Sequence, residues 1–138
     1  MALVLDTGPV VAYLDSNDHR HLLAQAVFDA SHEAFVIPAP NLVEIDYWLR
    51  KQASVAIVRE FAQDVADGAY QIESLSSDDL LRAAELEAQY NDLRLGLVDA
   101  SVIAICERLG ETKVATFDRR HFSVVRPRHC DAFTLLPG

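Results

Sequence analysis

The sequence predicts an α/β fold in which a parallel sheet is covered by helices on both faces. Short apolar runs alternate along the chain with longer segments that have helical periodicity. Most of the short runs are largely apolar, as expected of strands that are buried on both faces of a sheet. With 138 residues, of which 51% are hydrophobic, the chain can bury a substantial core. We therefore expect residues 1–138 to form a single domain.

Five short apolar runs are the predicted strands. They are Ala2–Leu5, Ala34–Ile37, Tyr70–Glu73, Val114–Phe117 and Ala132–Leu135. Pro38 and Pro40 stop the second run, because proline cannot donate a hydrogen bond within a sheet. Helical segments separate most of these runs, which favours parallel pairing.

Six longer segments are the predicted helices. They are Pro9–Asp15, His19–Ser31, Asn41–Gln52, Val55–Ala66, Ser77–Tyr90 and Val98–Leu109. Asn17 or Asp18 is the expected N-cap of the second helix, and Ser76 or Ser77 that of the fifth. Gly110 is the expected end of the last helix.

Cellular location is constrained by what the sequence lacks. No apolar run approaches the roughly 20 residues that a membrane helix needs. The apolar N-terminus has no basic residues before it and is interrupted by Asp6, so we expect no signal peptide. Cys106 and Cys130 have no metal-ligand spacing, and a reduced, cytoplasmic protein is expected.

Charge is distributed unevenly along the chain. The net charge is −9, and the acidic window Glu60–Asp92 contains nine acidic residues but only one basic residue, Arg82. The basic segment Arg119–His129 contains four arginines, two histidines and no acid. This segment could meet a phosphate backbone while the acidic window stays away from it, or the acidic window could serve solubility alone.

Three aspartates occupy positions that solubility does not explain. Asp6 and Asp118 directly follow the first and fourth predicted strands, and ligands of open α/β sheets bind at these carboxyl ends. At about 100° per residue, Asp99 lies on the same helix face as Ile103 and Cys106. An inward carboxylate in the first turn could bind a ligand, or it could be satisfied by backbone N–H groups.

A fourth acid belongs to the third predicted helix, and the periodicity leaves its identity open. Leu42, Ile45 and Leu49 contribute to the apolar stripe of that helix. Glu44 borders one edge of the stripe and Asp46 borders the other. Either carboxylate could also be a solvated flank of the helix.

Several carboxylates in one site favour a bound metal ion. At about 5 Å and an effective dielectric constant near 20, each ionised pair costs roughly 3 kcal/mol, and a divalent cation removes that cost. Ligand sets made of oxygen atoms select Mg²⁺ or Mn²⁺, which can promote hydrolysis of a phosphodiester. Arg119 or Arg120 could hold the phosphate, or could simply be solvated.

Four motifs carry a family resemblance along the whole chain. They are Asp6-Thr7-Gly8-Pro9, Val43-Glu44-Ile45, Leu97-Val98-Asp99-Ala100-Ser101 and Ala115-Thr116-Phe117-Asp118-Arg119-Arg120-His121-Phe122. In this order they resemble the PIN-domain ribonucleases, and among them the VapC toxins of bacterial type II toxin–antitoxin systems. The resemblance implies a three-layer α/β/α sandwich with the first strand central. It also implies Mg²⁺- or Mn²⁺-dependent cleavage of RNA, a homodimer, and a VapB antitoxin as partner.

The resemblance also implies roles for individual residues. It selects Glu44 over Asp46 and so defines an acid quartet, which consists of Asp6, Glu44, Asp99 and Asp118. Asp6 and Asp99 match the principal metal ligands of the family, and Asp118 matches a fourth acid whose metal contact varies among its members. The whole quartet is the implied catalytic set, with Asp6, Asp99 and Asp118 as the expected metal ligands. Thr7 and Thr116 match hydroxyl residues that support the acids, although local backbone bonding would also explain them. Arg119 is the expected substrate contact.

Other interpretations predict different residues. A phosphatase of the haloacid dehalogenase type needs a second carboxylate two residues after Asp6, where this chain has Gly8. A receiver domain needs a phosphoacceptor aspartate after the third strand, and Ser74, Leu75 and Ser76 stand there instead. A non-catalytic PIN-like module that only binds a partner would gain from losing the repulsion within the quartet. A PIN nuclease outside toxin–antitoxin biology is the remaining alternative.

The acidic window also suggests a partner surface. Its carboxylates could receive the basic side chains of an antitoxin. Asp78, Asp79, Glu85 and Glu87 are the residues with which we would test that hypothesis.

Overall fold

The computed structural model describes residues 1–138 and contains one sheet of five parallel strands. The strands are β1 (Ala2–Leu5), β2 (Ala34–Pro38), β3 (Gln71–Glu73), β4 (Lys113–Ala115) and β5 (Thr134–Leu136). Their order across the sheet is β3-β2-β1-β4-β5. Val4 at the centre pairs with Val36 of β2 on one side and with Val114 of β4 on the other. The implied central position of the first strand is therefore confirmed.

Seven α-helices surround the sheet. They are α1 (Thr7–Leu14), α2 (His21–Ala30), α3 (Asn41–Gln52), α4 (Val55–Ala66), α5 (Ser77–Gln89), α6 (Leu97–Leu109) and α7 (Arg119–Phe122), with a 3-10 turn at Asn91–Leu93. The bounds of α3 and α4 equal the predicted ones, and Gly110, at φ 71°, ends α6 as expected. No helix combines the length and the apolar composition that crossing a membrane requires.

Alternate residues of the central strand β1 pack in two separate apolar cores. Ala2 and Val4 pack in one apolar cluster with residues of α5 and α6. Leu3 and Leu5 pack in the other with residues of α1, α2, α3 and α4. Successive side chains of a strand point to opposite faces, so a strand covered by helices on both sides must be apolar throughout. The predicted three-layer α/β/α sandwich with a central parallel sheet is confirmed.

Several local expectations were wrong. Neither Asn17 nor Asp18 caps α2, which begins after Arg20 without a side-chain cap. Strand β4 ends at Ala115, two residues before the predicted Phe117. The chain turns there because the hydroxyl of Thr116 and the carboxylate of Asp118 bind nearby backbone N–H groups and start the short helix α7. Periodicity cannot reveal a helix of four residues.

Much of the charge that is separated in sequence is paired in space. Arg108 bonds Glu73 and the buried Asp79, and Arg82 bonds Glu107. Arg128 of the basic segment reaches Glu85 of the acidic window, with Nη2 2.9 Å from Oε2. Asp79 also forms a capping box with Ser76 at the start of α5. Asp79 is thus an internal structural residue, which contradicts its assignment to a partner-binding surface.

Candidate metal centre

The acid quartet converges at the carboxyl end of the sheet. Asp6 follows β1 directly, and Asp118 comes three residues after the end of β4. Glu44 and Asp99 lie in the first turns of α3 and α6. All four carboxylates line one cavity of about 510 Å³. Parallel neighbouring strands bring their carboxyl ends to the same edge, and this explains how residues so distant in sequence meet.

Asp6 is the most deeply buried member of the quartet, with 8% of its surface exposed. Its Oδ1 accepts hydrogen bonds from the backbone N–H of Thr7 (2.9 Å) and from Nδ2 of Asn41 (3.1 Å). Its Oδ2 accepts one from the hydroxyl of Thr116 (2.8 Å). Burial, reinforced by the negative charges of Asp99 and Glu44, raises the pKa of Asp6 to about 6 despite these donors. The carboxylate is therefore held in place but is costly to ionise without a nearby cation.

Thr7 and Asn41 connect Asp6 to Glu44. The hydroxyl of Thr7 donates to Oε1 of Glu44 at 2.7 Å, and it accepts from Nδ2 of Asn41 at 3.0 Å. Asn41 is fully buried at the start of α3, one turn before Glu44. The sequence predicts Asn41 only as the start of a helix. The signal for its further role is a polar residue directly after Pro40, on the same helix as the candidate ligand Glu44.

Asp99 and Asp118 share a histidine. Nδ1 of His121 lies 2.9 Å from Oδ2 of Asp99 and 2.8 Å from Oδ2 of Asp118. Burial raises the pKa of Asp99, the hydrogen bond from His121 opposes that rise, and the charges of Asp118 and Glu44 add to it. Burial lowers the pKa of His121, but the hydrogen bond to Asp99 and the charge of Asp118 outweigh it and raise that pKa overall. Protonated His121 would therefore offset part of the negative charge here.

His121 was not among the predicted site residues. The sequence places it in the basic segment and in the fourth of the family-like motifs. Its signal is the spacing from Asp118, because residues three positions apart share one face of a helix. That spacing places His121 one turn into α7 and directs its ring back to the carboxylate that caps the helix.

Glu44 and Asp46 are separated by their surroundings. Glu44 lines the cavity and accepts the hydrogen bond from Thr7. Asp46 instead pairs with Arg50 (Oδ2 to Nη2, 3.0 Å), and its side chain is 45% exposed. Within this chain, Glu44 is the acid of α3 that can take part in the site.

Arg119, the expected substrate contact, lies outside the cavity lining. Its Nη1 donates to the backbone carbonyl of Pro137 at 3.0 Å. The arginine that does line the cavity is Arg20, which comes from the segment between α1 and α2. Sequence reasoning missed Arg20 because nothing in its local pattern points toward the carboxyl end of the sheet.

Comparison with known proteins agrees with this geometry. The sequence model of the PIN domain matches residues 3–126. The chain belongs to the PIN-domain family. The resemblance inferred from the four motifs is thus confirmed at the level of the family.

One relative that this PIN domain matches over its full length is a ribonuclease of the VapC type. The domain is 28% identical to Ribonuclease VapC26 of Mycobacterium tuberculosis over 135 residues, which cover 98% of this chain and 100% of the relative. The fold is similar to M. tuberculosis VapC20, a toxin described as cleaving the sarcin-ricin loop (TM-score 0.78, 18% identity, 85% and 90% of the two chains). The fold is also similar to that in VapBC2 of Rickettsia felis, solved with a promoter DNA fragment. The TM-score is 0.68 at 16% identity, and the match covers 98% of this chain and 97% of that chain.

The donor set of this PIN domain fits a hard divalent cation. The acid quartet supplies carboxylate oxygens, the ligands that Mg²⁺ and Mn²⁺ prefer. Asp99, Asp118 and His121 each offer a ligand atom, and these atoms lie within 4.8 Å of one another. Only one cationic group, His121, makes close contact with the quartet. A bound cation would therefore relieve repulsion that the protein alone only partly offsets, consistent with the divalent-metal dependence of PIN nucleases.

Proposed function

We propose that this PIN domain is the toxin of a type II toxin–antitoxin pair and that it hydrolyses RNA phosphodiester bonds with Mg²⁺. The observation that carries the proposal is the meeting of Asp6, Glu44, Asp99 and Asp118 in one cavity. The full-length similarity to a ribonuclease of the VapC type supports RNA as the substrate. Mg²⁺ is the proposed ion because the donors are carboxylates and the cavity leaves room for the waters that Mg²⁺ retains; Mn²⁺ should substitute.

The residues of the site would have distinct roles. When bound, the divalent cation supplies Lewis acidity and activates a water molecule for attack on phosphorus. Asp6, Asp99 and Asp118 would hold the cation. Thr116 and Asn41 orient the two oxygens of Asp6 through the hydrogen bonds described above.

Glu44 and His121 are the groups placed to handle protons. Thr7 donates to one oxygen of Glu44, so the other oxygen can accept a proton from water. His121 can hold a proton on Nδ1 between Asp99 and Asp118. Asp99 and Asp118 would hold the cation in their ionised forms, which His121 orients through its contacts to both.

An antitoxin of the VapB type is the proposed protein partner, and a homodimer is the proposed assembly. A similar fold occurs in a toxin–antitoxin complex from Klebsiella pneumoniae (TM-score 0.67, 20% identity). Asp78 is exposed in the acidic window and could meet basic side chains, whereas Asp79 is buried and Glu85 already pairs with Arg82 and Arg128. Neutralising Asp78 and Glu87 should weaken binding of the cognate antitoxin. Unchanged binding would remove the acidic window from the interface.

Mapping of cleavage sites on total RNA tests the enzymatic proposal. Wild-type protein with Mg²⁺ should produce discrete RNA ends, and these should disappear in chelator and with Asp99→Asn. Asp46→Asn is the matched control, because it removes an acid outside the cavity and should leave the ends unchanged. RNA ends that persist at full level with Asp99→Asn would contradict the assignment. Cleavage without growth arrest on expression would instead favour a PIN nuclease outside toxin–antitoxin biology.

A further inference from the structure

Arg20 has an unusual position for an arginine of this chain. The cavity lining contains five carboxylates and a single arginine or lysine, which is Arg20. Any phosphodiester that approaches the acid quartet must enter this mostly negative space. The guanidinium of Arg20 is the one permanent positive charge in the lining of this cavity that could meet the phosphate.

Phe117 fixes the place of Arg20. The guanidinium carbon lies 4.2 Å from the centre of the Phe117 ring, a cation–π distance. Phe117 is adjacent to Asp118, so the stacked guanidinium is held beside the acid quartet. Gly8 makes room for the ring, because a Cβ there would come within 3.0 Å of Cδ2 of Phe117. The first turn of α1, Phe117 and Arg20 therefore form one packed unit along the cavity wall.

The guanidinium of Arg20 is held on one side and open on the other. Its Nε is buried without a hydrogen-bond partner and lies 3.9 Å from Oδ1 of Asp18, an ion-pair distance. Its terminal nitrogens, Nη1 and Nη2, donate to no acceptor of the protein, whereas Nη1 of Arg119 already donates to a backbone carbonyl. The two terminal nitrogens form the open end of a planar fork that matches the geometry of a phosphate.

We propose that Arg20 binds the phosphate of the RNA backbone at the metal centre. The inference rests on the proposed RNA cleavage and names the residue that positions the substrate for it. Arg20 contributes the phosphate contact, and Phe117 keeps its guanidinium in the cavity. The arginines at the start of α7 are then not required for that contact.

The test compares Arg20→Ala and Arg20→Lys with Arg59→Ala, which removes a control arginine that is exposed on α4 and lies outside the cavity lining. The probe is a fluorescein-labelled single-stranded RNA of mixed sequence, with Ca²⁺ in place of Mg²⁺ to prevent turnover. Arg20→Ala should weaken RNA binding about tenfold or more, since a charged hydrogen-bonding group is lost. It should also reduce the slope of log affinity against log salt by about one, as expected for one lost phosphate contact. Arg20→Lys should recover part of the affinity because it keeps the charge but not the fork.

Mn²⁺ affinity, measured by calorimetry without RNA, separates a substrate role from a structural one. It should be unchanged or tighter in Arg20→Ala, because a positive charge leaves the cavity. If Arg20→Ala binds RNA as tightly as wild type does, and wild type cleaves RNA, the inference about Arg20 is overturned and the proposed function is not. A loss of Mn²⁺ affinity or of folded structure in both Arg20 variants would also overturn it. A wild-type protein that neither binds nor cleaves RNA would overturn the proposed function and the inference together.

Discussion

Single residues in the site are held by contacts that oppose their mutual repulsion. Asp6 accepts three hydrogen bonds, and Asp99 and Asp118 share His121. Each bond favours an ionised carboxylate that burial and neighbouring acids disfavour. The result is a set of oriented ligands whose ionisation remains costly, and this cost can be measured.

Asp6→Asn should stabilise the metal-free protein near neutral pH. Burial raises the pKa of Asp6 from 3.8 to about 6. As pH rises, the unfolded state therefore releases the Asp6 proton at a lower pH than the folded state does. The favourable contribution of protonated Asp6 is complete below about pH 4 and is lost as pH rises through about 6. The cost near pH 7 is about 3 kcal/mol, at 1.36 kcal/mol per pKa unit. Asparagine cannot ionise, so the Asp6→Asn variant avoids this cost.

Urea unfolding in chelator at pH 4 and pH 7 measures this effect. As pH rises from 4 to 7, the free energy of unfolding of the wild type should fall relative to that of Asp6→Asn. Asp29→Asn, an exposed acid of α2, is the control and should follow wild type. Parallel pH dependence of wild type and Asp6→Asn would show that ionisation of Asp6 carries no cost. RNA cleavage should be abolished in Asp6→Asn alone.

Asn41→Ala should destabilise the protein by about 1–3 kcal/mol, because donors to two buried acceptors are removed. Nδ2 of Asn41 bonds both Asp6 and Thr7, and its side chain is fully buried. Asn91→Ala is the matched control, since Asn91 is exposed in the 3-10 turn. Unfolding by urea should separate the two variants. Equal free energies of unfolding would show that Asn41 has no role in holding the acids.

Whole elements begin and end at the residues of the site. Asp6 ends β1 and caps α1, and Asp118 caps α7. Asp99 lies in the first turn of α6, where the helix dipole favours negative charge. The same residues therefore set element boundaries and supply the acid chemistry.

The capping box of α5 gives a prediction at this scale. Asp79→Ala should cost about 2–3 kcal/mol, because it removes the acceptor of the Ser76 backbone N–H in the capping box and leaves Arg108 without one of its carboxylate partners. Asp78→Ala should cost less than about 0.5 kcal/mol, since Asp78 is exposed beside it. Urea unfolding of the two neighbouring variants provides the comparison. Similar costs would mean that Asp79 does not tie α5 to α6.

At the scale of the molecule, four separate elements must fold together before the quartet exists. A cation that binds the assembled site should therefore bind the folded state alone and raise the melting temperature. At about 100 times its dissociation constant, Mn²⁺ should add roughly 2.7 kcal/mol of stability. Asp99→Asn should lose most of this gain, whereas Asp46→Asn should keep it.

Thermal unfolding with and without Mn²⁺ is the measurement. The gain should shrink as pH falls toward the carboxylate range, because the ligands must lose protons to bind metal. A melting temperature that does not respond to Mn²⁺ would favour a non-catalytic PIN-like module. A response that is equal at pH 7 and at about pH 4 would contradict a site made of carboxylates.

The sequence alone determined the order along the chain of the five strands and of six of the seven helices, with bounds within two residues, and it identified Asp6, Asp99 and Asp118 as candidate site residues. These features depend on local periodicity and on strand ends, which neighbouring residues specify. Glu44 could be told from Asp46 only through the family resemblance. The short helix α7 and the start of α2 were beyond reach, because a few side-chain bonds to the backbone decide them.

Only the tertiary structure decided which other side chains complete the site. The roles of Asn41, His121 and Arg20 depend on the side chains that they contact. Those partners include residues that are distant in the chain. Asn41 and Asp6 are separated by 35 positions, and Thr116 and Asp6 by 110. Hydrogen bonds and cation–π contacts require approach within a few ångströms, and that approach is created by the pairing of β1 with β4 and by helix packing on the sheet. Residue type limits what a side chain can do, whereas its neighbours in space determine what it does.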